Sequence, residues 1–454
     1  MAFGLISILP KGMRDSRVVR VMSPFTTLLG VVGLGALALW QVTVDTTSKL
    51  QKIDGCGFSQ AFGHAEEFQN APTALQKGAL DLLFSPTKGA GFSMIRNRIG
   101  SGGKGDSILP TSPGSPAGKP TYTWDKDDSG QCSWIHEDEY LCGTTGHTCS
   151  SGDWRQAYAD FLVQYVKYYQ QAGLNITHLG FLNEPDFSPG YSQMQISSNA
   201  QEAISFIPTL SKAVQSAGLK TAVTCCDAVG WASTVKYTNA LVAAGMESYL
   251  GLITSHTYSG NANTALNTEL SSWVTESSIT TAFDLTWFNN RGATEGMTWA
   301  NKIAVGIINA NLSAYLYWEG FELKQLQYDS HLVDTQDGKT ATPSANFWAF
   351  AMWSRHIRPG AQRLQTSGMV ASDVLTSAVK NKDGSIVIIF TNNGSAAKAA
   401  NFASTAASIS GSGLSVAMLL QGRDNLATCQ ISGHYICTVY HLRSTFYRFS
   451  SINA

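Results

Sequence analysis

Short apolar runs alternate with longer amphipathic segments through most of the chain. The run Leu179–Leu182 is followed at once by Asn183, Glu184 and Pro185, which is typical of a buried parallel strand that delivers polar side chains to one end of a sheet. Because Pro185 cannot continue a strand ladder, Glu184 should sit at the carboxyl end of this strand. Further strands are predicted at Phe92–Ile99, Lys220–Cys226, Leu250–Tyr258, Leu270–Glu276 and Ala314–Glu319, and helices at Ala74–Leu83, Trp154–Ala172, Ala200–Gly218, Thr234–Gly245, Thr298–Asn309 and Asn346–His356.

The alternation predicts a parallel sheet closed into a (β/α)8 TIM barrel over residues 54–357. Residues 39–53 form a further predicted strand before it. Beyond Arg358 the pattern changes to short β-type runs separated by glycine, asparagine and serine, at Val374–Val379, Ser385–Thr391 and Leu414–Leu420. We therefore expect an α/β barrel followed by an all-β module over residues 358–454.

Composition narrows the class of protein. Of the 454 residues 44% are apolar, enough to fill a sizeable core, while 14% are charged and the net charge is −1. This balance argues against a polyanionic partner such as nucleic acid. Three arginines between residues 14 and 20 precede the apolar run Phe25–Trp40, which is shorter than the ~18 residues expected of a spanning helix. Residues 1–38 thus fit a secretory signal peptide, with a signal anchor as the alternative.

Eight cysteines and three sequons fit an oxidising, extracellular environment. We expect Cys142 to pair with Cys149, and Cys429 with Cys437 across a hairpin, since each pair is close in sequence. A zinc cluster within residues 132–149 is the alternative for the first pair, but the spacing matches no standard zinc finger. The sequons that permit N-glycosylation begin at Asn175, Asn311 and Asn393.

Four predicted strands end in polar groups that would share one cavity at the carboxyl face of the barrel. Glu184 and Glu276 are candidates for the two carboxyl groups of glycoside hydrolysis, in which one protonates the leaving oxygen and the other attacks the anomeric carbon or activates water. Asn183 is placed to hydrogen-bond a sugar hydroxyl, and Tyr258 to keep the nucleophile ionised. The other candidates for substrate binding are Arg98, His256, Trp318 and Glu319.

Each candidate also has an ordinary structural interpretation, and the hypothesis depends on their occurrence together. A single glutamate at a strand end is often a solvated loop carboxylate, and His256 alone would be a hydrogen-bonded core residue. Other chemistry lacks its motif: the chain contains neither the Gly-x-Ser-x-Gly of serine esterases nor a phosphate-binding Gly-x-x-x-x-Gly-Lys loop. We expect no metal ion and no cofactor.

Seven segments of the chain are informative when they are taken together: IDGCGFSQAFGHAEEF (53–68), MIRNRIGSG (94–102), YLCGTTGHTCSSGDWRQAYADFLVQY (140–165), THLGFLNEPDFSP (177–189), LITSHTYSG (252–260), WVTESS (273–278) and FWAFAMWSRHIRPGA (347–361). They resemble glycoside hydrolase family 30, in its fungal xylanase and endo-β-1,6-galactanase-like branch. The resemblance implies a (β/α)8 barrel with a side β-sandwich that includes the strand of residues 39–53, and a retaining mechanism with Glu184 as acid/base and Glu276 as nucleophile. It also implies a β-1,4-xylan or glucuronoxylan substrate from the plant cell wall.

The chain departs from this family in two places. Residues 128–153 are too few for the helix and strand of a third barrel unit. Either the barrel is incomplete, with two unpaired strand edges, or a segment has been lost from the gene model at this point. The loop after the first barrel strand carries His64, Glu66 and Glu67 where an arginine would bind an acidic branch, which favours xylan without an obligatory acidic substituent. The alternatives are an endo-β-1,6-galactanase, a β-1,6-glucanase or glucosylceramidase, and a non-catalytic carbohydrate-binding relative. In each case we expect a secreted monomer.

Overall fold

A computed structural model describes most of the chain. The described residues are 2–7, 41–61, 64–99, 107–124, 136–137, 139–188, 193–279, 283–323, 331–335, 337–404, 426–431, 436–442 and 446–450, and side chains are described only between residues 42 and 398.

The described elements follow the predicted alternation of strands and helices. The strands are β1 (Ala2–Ser7), β2 (Gln41–Asp45), β3 (Lys52–Ile53), β4 (Gly55–Gln60), β5 (Met94–Ile99), β6 (His136–Glu137), β7 (Tyr140–Leu141), β8 (Ile176–Gly180), β9 (Ala222–Ala228), β10 (Leu252–His256), β11 (Ser271–Glu276), β12 (Ala314–Trp318), β13 (Phe321–Glu322), β14 (Val333–Asp334), β15 (Thr342–Pro343), β16 (Ala361–Ser367), β17 (Val374–Lys380), β18 (Ile386–Asn392), β19 (Lys398–Ser404), β20 (Leu426–Ile431), β21 (Ile436–Leu442) and β22 (Phe446–Ser450). The helices are α1 (His64–Gln69), α2 (Thr73–Phe84), α3 (Arg155–Gln171), α4 (Gln201–Ser216), α5 (Trp231–Ala243), α6 (Gly296–Asn309) and α7 (Ala345–Ser354), with a 3-10 helix at Met246–Tyr249.

Eight strands close into a barrel in the order β1-β5-β4-β12-β11-β10-β9-β8. Seven of them run parallel, and together with their helices they confirm the predicted fold class. The expected unpaired edges are absent from the described barrel, because β1 inserts between β5 and β8 and pairs antiparallel with both. A strand from the N-terminus thus fills the gap that the short segment before α3 leaves open.

The period-two alternation of the barrel strands separates an inner layer from an outer one. In β12, Leu316 joins Met94 and Trp273 inside the barrel. Tyr317, the next-to-last residue of the strand, faces outward and contacts Trp299 of α6 and Phe350 of α7, with ring centroids 4.8 and 5.8 Å apart. Apolar burial on both faces of the sheet holds the polar strand ends in place.

The second sheet has the order β20-β19-β2-β16-β17-β18-β21-β22, with β3 also paired to β16. It therefore combines strands that precede the barrel with strands that follow it, as the predicted side β-sandwich requires. The predicted strand Leu414–Leu420 lies outside the described residues. Cys429 and Cys437 lie on β20 and β21, which pair with other strands rather than with each other, so the expected hairpin between them does not form. Whether the two cysteines form a disulfide stays a prediction.

Two disulfides join described cysteines, Cys142 to Cys149 and the adjacent Cys225 to Cys226. The first is the predicted pair, and the second was not expected. Burial raises the pKa of the Cys56 thiol to about 12, which suits an inert core residue. Among the helices of the described part, none is both long and apolar enough to cross a membrane.

Candidate active site

Glu184 and Glu276 both reach the carboxyl end of the barrel. Glu276 is the last residue of β11, and Glu184 follows β8 by four residues. Glu184 has a φ of +48°, which is uncommon for a residue other than glycine, and its backbone N–H donates to the Asp227 carbonyl at 2.8 Å. Backbone conformations of this kind are often found at functional sites, where neighbouring contacts hold them.

The two carboxylates approach the same imidazole. His256 Nδ1 lies 3.0 Å from Glu184 Oε1 and 3.5 Å from Glu276 Oε2. One oxygen of each glutamate and one nitrogen of His256 all lie within 4.8 Å of one another. Two glutamates that are distant in sequence are thereby brought together at the carboxyl end of the barrel.

Glu276 is held by a cation on one oxygen and a hydroxyl on the other. Arg96 Nη1 contacts Oε1, and the Tyr258 hydroxyl donates to Oε2 at 3.1 Å. Glu276 is 5% exposed. A guanidinium and a hydroxyl donor both stabilise negative charge on a carboxylate that acts as a nucleophile.

Arg96 organises this end of the barrel beyond Glu276. It is fully buried, its Nη2 donates to Asn183 Oδ1 at 3.1 Å, and the same nitrogen lies 3.4 Å from Asp227 Oδ2. Asp227 also accepts from Thr275 Oγ1 at 2.5 Å. Sequence reasoning selected Arg98 and missed Arg96, although period-two alternation places both on one face of β5. It also missed Asp227, although this residue directly follows the predicted strand Lys220–Cys226 and therefore has the same signal as the other strand ends.

The two carboxylates affect the pKa values of His256 and Tyr258, and both pKa values are raised. Burial lowers the pKa of His256, but the charges of Glu276 and Glu184 outweigh it, so the net shift is upward and the imidazole favours its protonated form. Burial of its hydroxyl and the same two charges raise the pKa of Tyr258 well above its usual value. Tyr258 therefore remains a hydrogen-bond donor.

The remaining predicted site residues lie at varying depth. Trp318, the last residue of β12, is 8% exposed. Arg98 is buried, and its carbonyl accepts from the Tyr165 hydroxyl at 3.1 Å. Glu319 turns toward His64 and His331, with Oε2 3.5 and 3.4 Å from their Nε2 atoms. Its role in substrate binding, like that of Arg98 and Trp318, stays a prediction.

Glu319 belongs to a second group of titrating side chains beside the first. Burial raises the pKa of Glu319 to about 8, and its carboxylate and that of Glu322 raise the pKa of His331 to about 9 against the effect of burial. Burial lowers the pKa of His64. Within the described residues, two groups have the spacing of metal ligands, one formed by Glu184, His256 and Glu276 and one that contains His64 and Glu319. The first group is already accounted for by the hydrogen bonds of its members and by the contact of Arg96 with Glu276.

Comparison with known proteins agrees with this architecture. Residues 360–426 match the family model described as the glycosyl hydrolase family 30 beta sandwich domain. The catalytic domain of a family 30 xylanase C from Talaromyces cellulolyticus superimposes with a TM-score of 0.80 at 38% identity, over 89% of this chain and all of that one. An endo-1,6-beta-D-glucanase, neg1, from Aspergillus fumigatus is 25% identical over 79% of this chain and 82% of its own. A subfamily 8 xylanase, Xyn30A, from Clostridium acetobutylicum shares the fold at 17% identity, with a TM-score of 0.61 over 88% of this chain and 98% of that one.

A closed barrel with paired glutamates at its carboxyl end and a side β-sandwich define a glycoside hydrolase. The identity with the Talaromyces domain over nearly the whole chain shows the family. The chain belongs to glycoside hydrolase family 30.

Proposed function

We propose that this protein hydrolyses a plant cell-wall polysaccharide, β-1,4-xylan, by double displacement. The observation that carries the mechanism is the approach of Glu184 and Glu276 to within 4.8 Å. Retaining glycosidases hold their carboxyl groups about 5–5.5 Å apart, whereas inverting enzymes leave about 6.5–9.5 Å for a water molecule.

In the first step Glu276 attacks the anomeric carbon while the carboxylic acid of Glu184 gives its proton to the leaving oxygen. Water then attacks the glycosyl-enzyme, Glu184 accepts the proton from that water, and Glu276 leaves as a carboxylate. Arg96 and Tyr258 support Glu276 as the nucleophile, since both stabilise its negative charge. Glu184 faces the imidazole of His256, whose Nδ1 lies 3.0 Å from Glu184 Oε1.

The surroundings of Asn183 support a role at the sugar ring. Its Oδ1 accepts from Arg96, so the side chain is fixed with its amide group near both glutamates, and Nδ2 lies 3.4 Å from Gln193 Oε1. A neutral amide held in this way can hydrogen-bond a sugar hydroxyl, a contact that strengthens in the transition state.

The choice of xylan is supported by the relative with the higher identity and by the charge of the rim. The Talaromyces protein is a xylanase, whereas the Aspergillus protein acts on 1,6-β-glucan. Glu66 is exposed and Glu67 is half-buried in α1, at the loop after the first parallel strand. These carboxylates favour a neutral chain over one with an acidic branch. β-1,6-Glucan, β-1,6-galactan and glucosylceramide remain alternatives for the assay.

The test compares Glu276→Gln and Glu184→Gln with Glu269→Gln, a matched change of an exposed glutamate. Release of reducing sugar is measured on linear xylan, glucuronoxylan, β-1,6-glucan and β-1,6-galactan, and NMR follows the anomer formed first. We expect activity on xylan with β-product, abolished by Glu276→Gln and unaffected by Glu269→Gln. Near-full activity of Glu276→Gln would refute the nucleophile assignment. Binding of xylan without any hydrolysis would identify a non-catalytic relative.

We place this activity outside the cell, as a monomer, on the basis of the predicted signal peptide and the sequons. Asn175 and Asn311 are exposed and Asn393 is half-buried, which supports glycosylation at the first two. One observation opposes a cleavage after residue 38: it would remove β1, which pairs with two barrel strands. N-terminal sequencing of secreted protein decides between removal and retention of this strand.

A further inference from the structure

A second buried cluster lies beside the candidate active site, and neither chemical step of the proposed reaction uses it. It consists of His64, Glu319, Glu322 and His331, which we call the His–Glu cluster, and each residue is 2–3% exposed. His64 begins α1 just after β4, whereas the other three follow β12. Because β4 and β12 are neighbours in the barrel, their following segments meet here.

The contacts within the cluster are spaced like ligands of one small cation. His64 Nε2 lies 3.5 Å from Glu319 Oε2 and 3.6 Å from Glu322 Oε1. His331 Nε2 lies 3.4 Å from Glu319 Oε2 and 3.1 Å from Glu322 Oε2. Two ligands of a tetrahedral zinc ion at about 2.0–2.2 Å are separated by roughly 3.3–3.6 Å. Three of the four separations fall in or very close to this interval, and one donor atom each from His64, Glu319 and Glu322 lies within 4.8 Å of the others.

A carboxylate stands behind the first imidazole, as it does in many metal centres. Glu67 Oε2 lies 3.5 Å from His64 Nδ1, on the ring edge opposite Nε2. Metal-bound histidines usually direct their second nitrogen to a carboxylate or carbonyl, which fixes the tautomer and orients the ring. In addition, Oε1 of Glu319 is buried and hydrogen-bonds to no described residue.

We propose that the His–Glu cluster binds one divalent transition-metal ion of the zinc type. His64, Glu319 and Glu322 supply three ligands, and Nε2 of His331, which faces both carboxylates, supplies the fourth. Two imidazoles and two carboxylates suit zinc, whereas calcium and magnesium require six or more oxygen ligands. Four protein ligands leave no open position, so the ion is structural.

The ion would join the segment after the first parallel strand to the segment after the last. Glu319 adjoins Trp318 in sequence, so this link would also fix one wall of the candidate active site. The competing interpretation is a metal-free arrangement in which protonated imidazoles alone balance two buried carboxylates. The two interpretations differ in metal content and do not depend on the substrate.

The experiment loads purified full-length protein with ZnCl2 after treatment with a chelator, removes unbound metal and measures zinc by mass spectrometry. We expect about one zinc per chain, and at least a tenfold loss of bound zinc in His64→Ala and Glu322→Gln. Glu67→Gln should weaken zinc binding by roughly 10–100-fold, the usual effect of losing such a carboxylate. The matched control is His147→Ala, because His147 forms a His–Glu pair with Glu202 at 3.0 Å elsewhere in the fold. It should keep its zinc.

Wild-type protein that retains no zinc would overturn the proposal in favour of the metal-free cluster. Zinc that survives His64→Ala but is lost in Glu276→Gln would overturn it in favour of the catalytic carboxylates. If the cluster variants fail to fold, X-ray absorption of the zinc-loaded wild type decides. Two imidazoles around zinc support the His–Glu cluster, and a single imidazole refutes it because the catalytic group contains only His256.

Discussion

Removal of the Tyr258 hydroxyl tests the electrostatic support of the proposed nucleophile with little change to the fold. Tyr258 is 39% exposed as a residue, and its hydroxyl donates to Glu276 Oε2 at 3.1 Å. Tyr258→Phe deletes one hydrogen bond to a charged group, which is worth about 1.5–3 kcal/mol. At ~1.36 kcal/mol for each factor of ten, kcat/KM on xylan should fall by roughly 10–150-fold.

The unfolding midpoint in urea separates this effect from a loss of packing, because Tyr258→Phe should keep the midpoint of the wild type. Tyr249→Phe, at a tyrosine that is 42% exposed in the 3-10 helix, serves as the control and should leave kcat/KM unchanged. An unchanged kcat/KM in Tyr258→Phe would refute the proposed support of Glu276.

Three further predictions concern stability, each read from urea unfolding. Arg96→Met leaves Glu276 and Asp227 without their buried cation and should lower the free energy of unfolding by about 3–5 kcal/mol. Arg155→Met, at an exposed pair with Asp153, is the control and should lower it by under ~1 kcal/mol. Equal losses would contradict the assignment of Arg96. Burial lowers the pKa of His178 to about 4, so the unfolded chain takes up a proton before the folded chain as pH falls. Between pH 6.5 and 5 the wild type should therefore lose about 2 kcal/mol more of its free energy of unfolding than His178→Gln. Parallel curves of unfolding free energy against pH would contradict this prediction. Deletion of residues 2–7 exposes two strand edges and should lower the free energy of unfolding, and an unchanged midpoint would show that β1 does not close the barrel.

The sequence by itself determined the elements and the chemistry of their ends. Short apolar runs that end in polar residues, as at Glu184 before Pro185 and at Glu319 after Trp318, are local signals. They predicted β8, β11 and β12 together with the candidate glutamates. The parallel alternation then implied that these ends lie on one face. The pairing of Cys142 with Cys149 was likewise predictable because their sequence separation is only 7.

Only the tertiary structure decided which side chains meet. Arg96 and Arg98 occupy equivalent positions in the alternating pattern of β5. The tertiary structure places Arg96 at the depth in the barrel where it contacts Glu276. The sequence of β1 does not identify it as a barrel strand. Its antiparallel position depends on the free edges of β5 (residues 94–99) and β8 (residues 176–180), with which it pairs. The His–Glu cluster draws on residues 64, 319, 322 and 331, and the closure of β12 against β4 brings them together. Such contacts depend on the register and shear of the closed sheet, which no local pattern encodes.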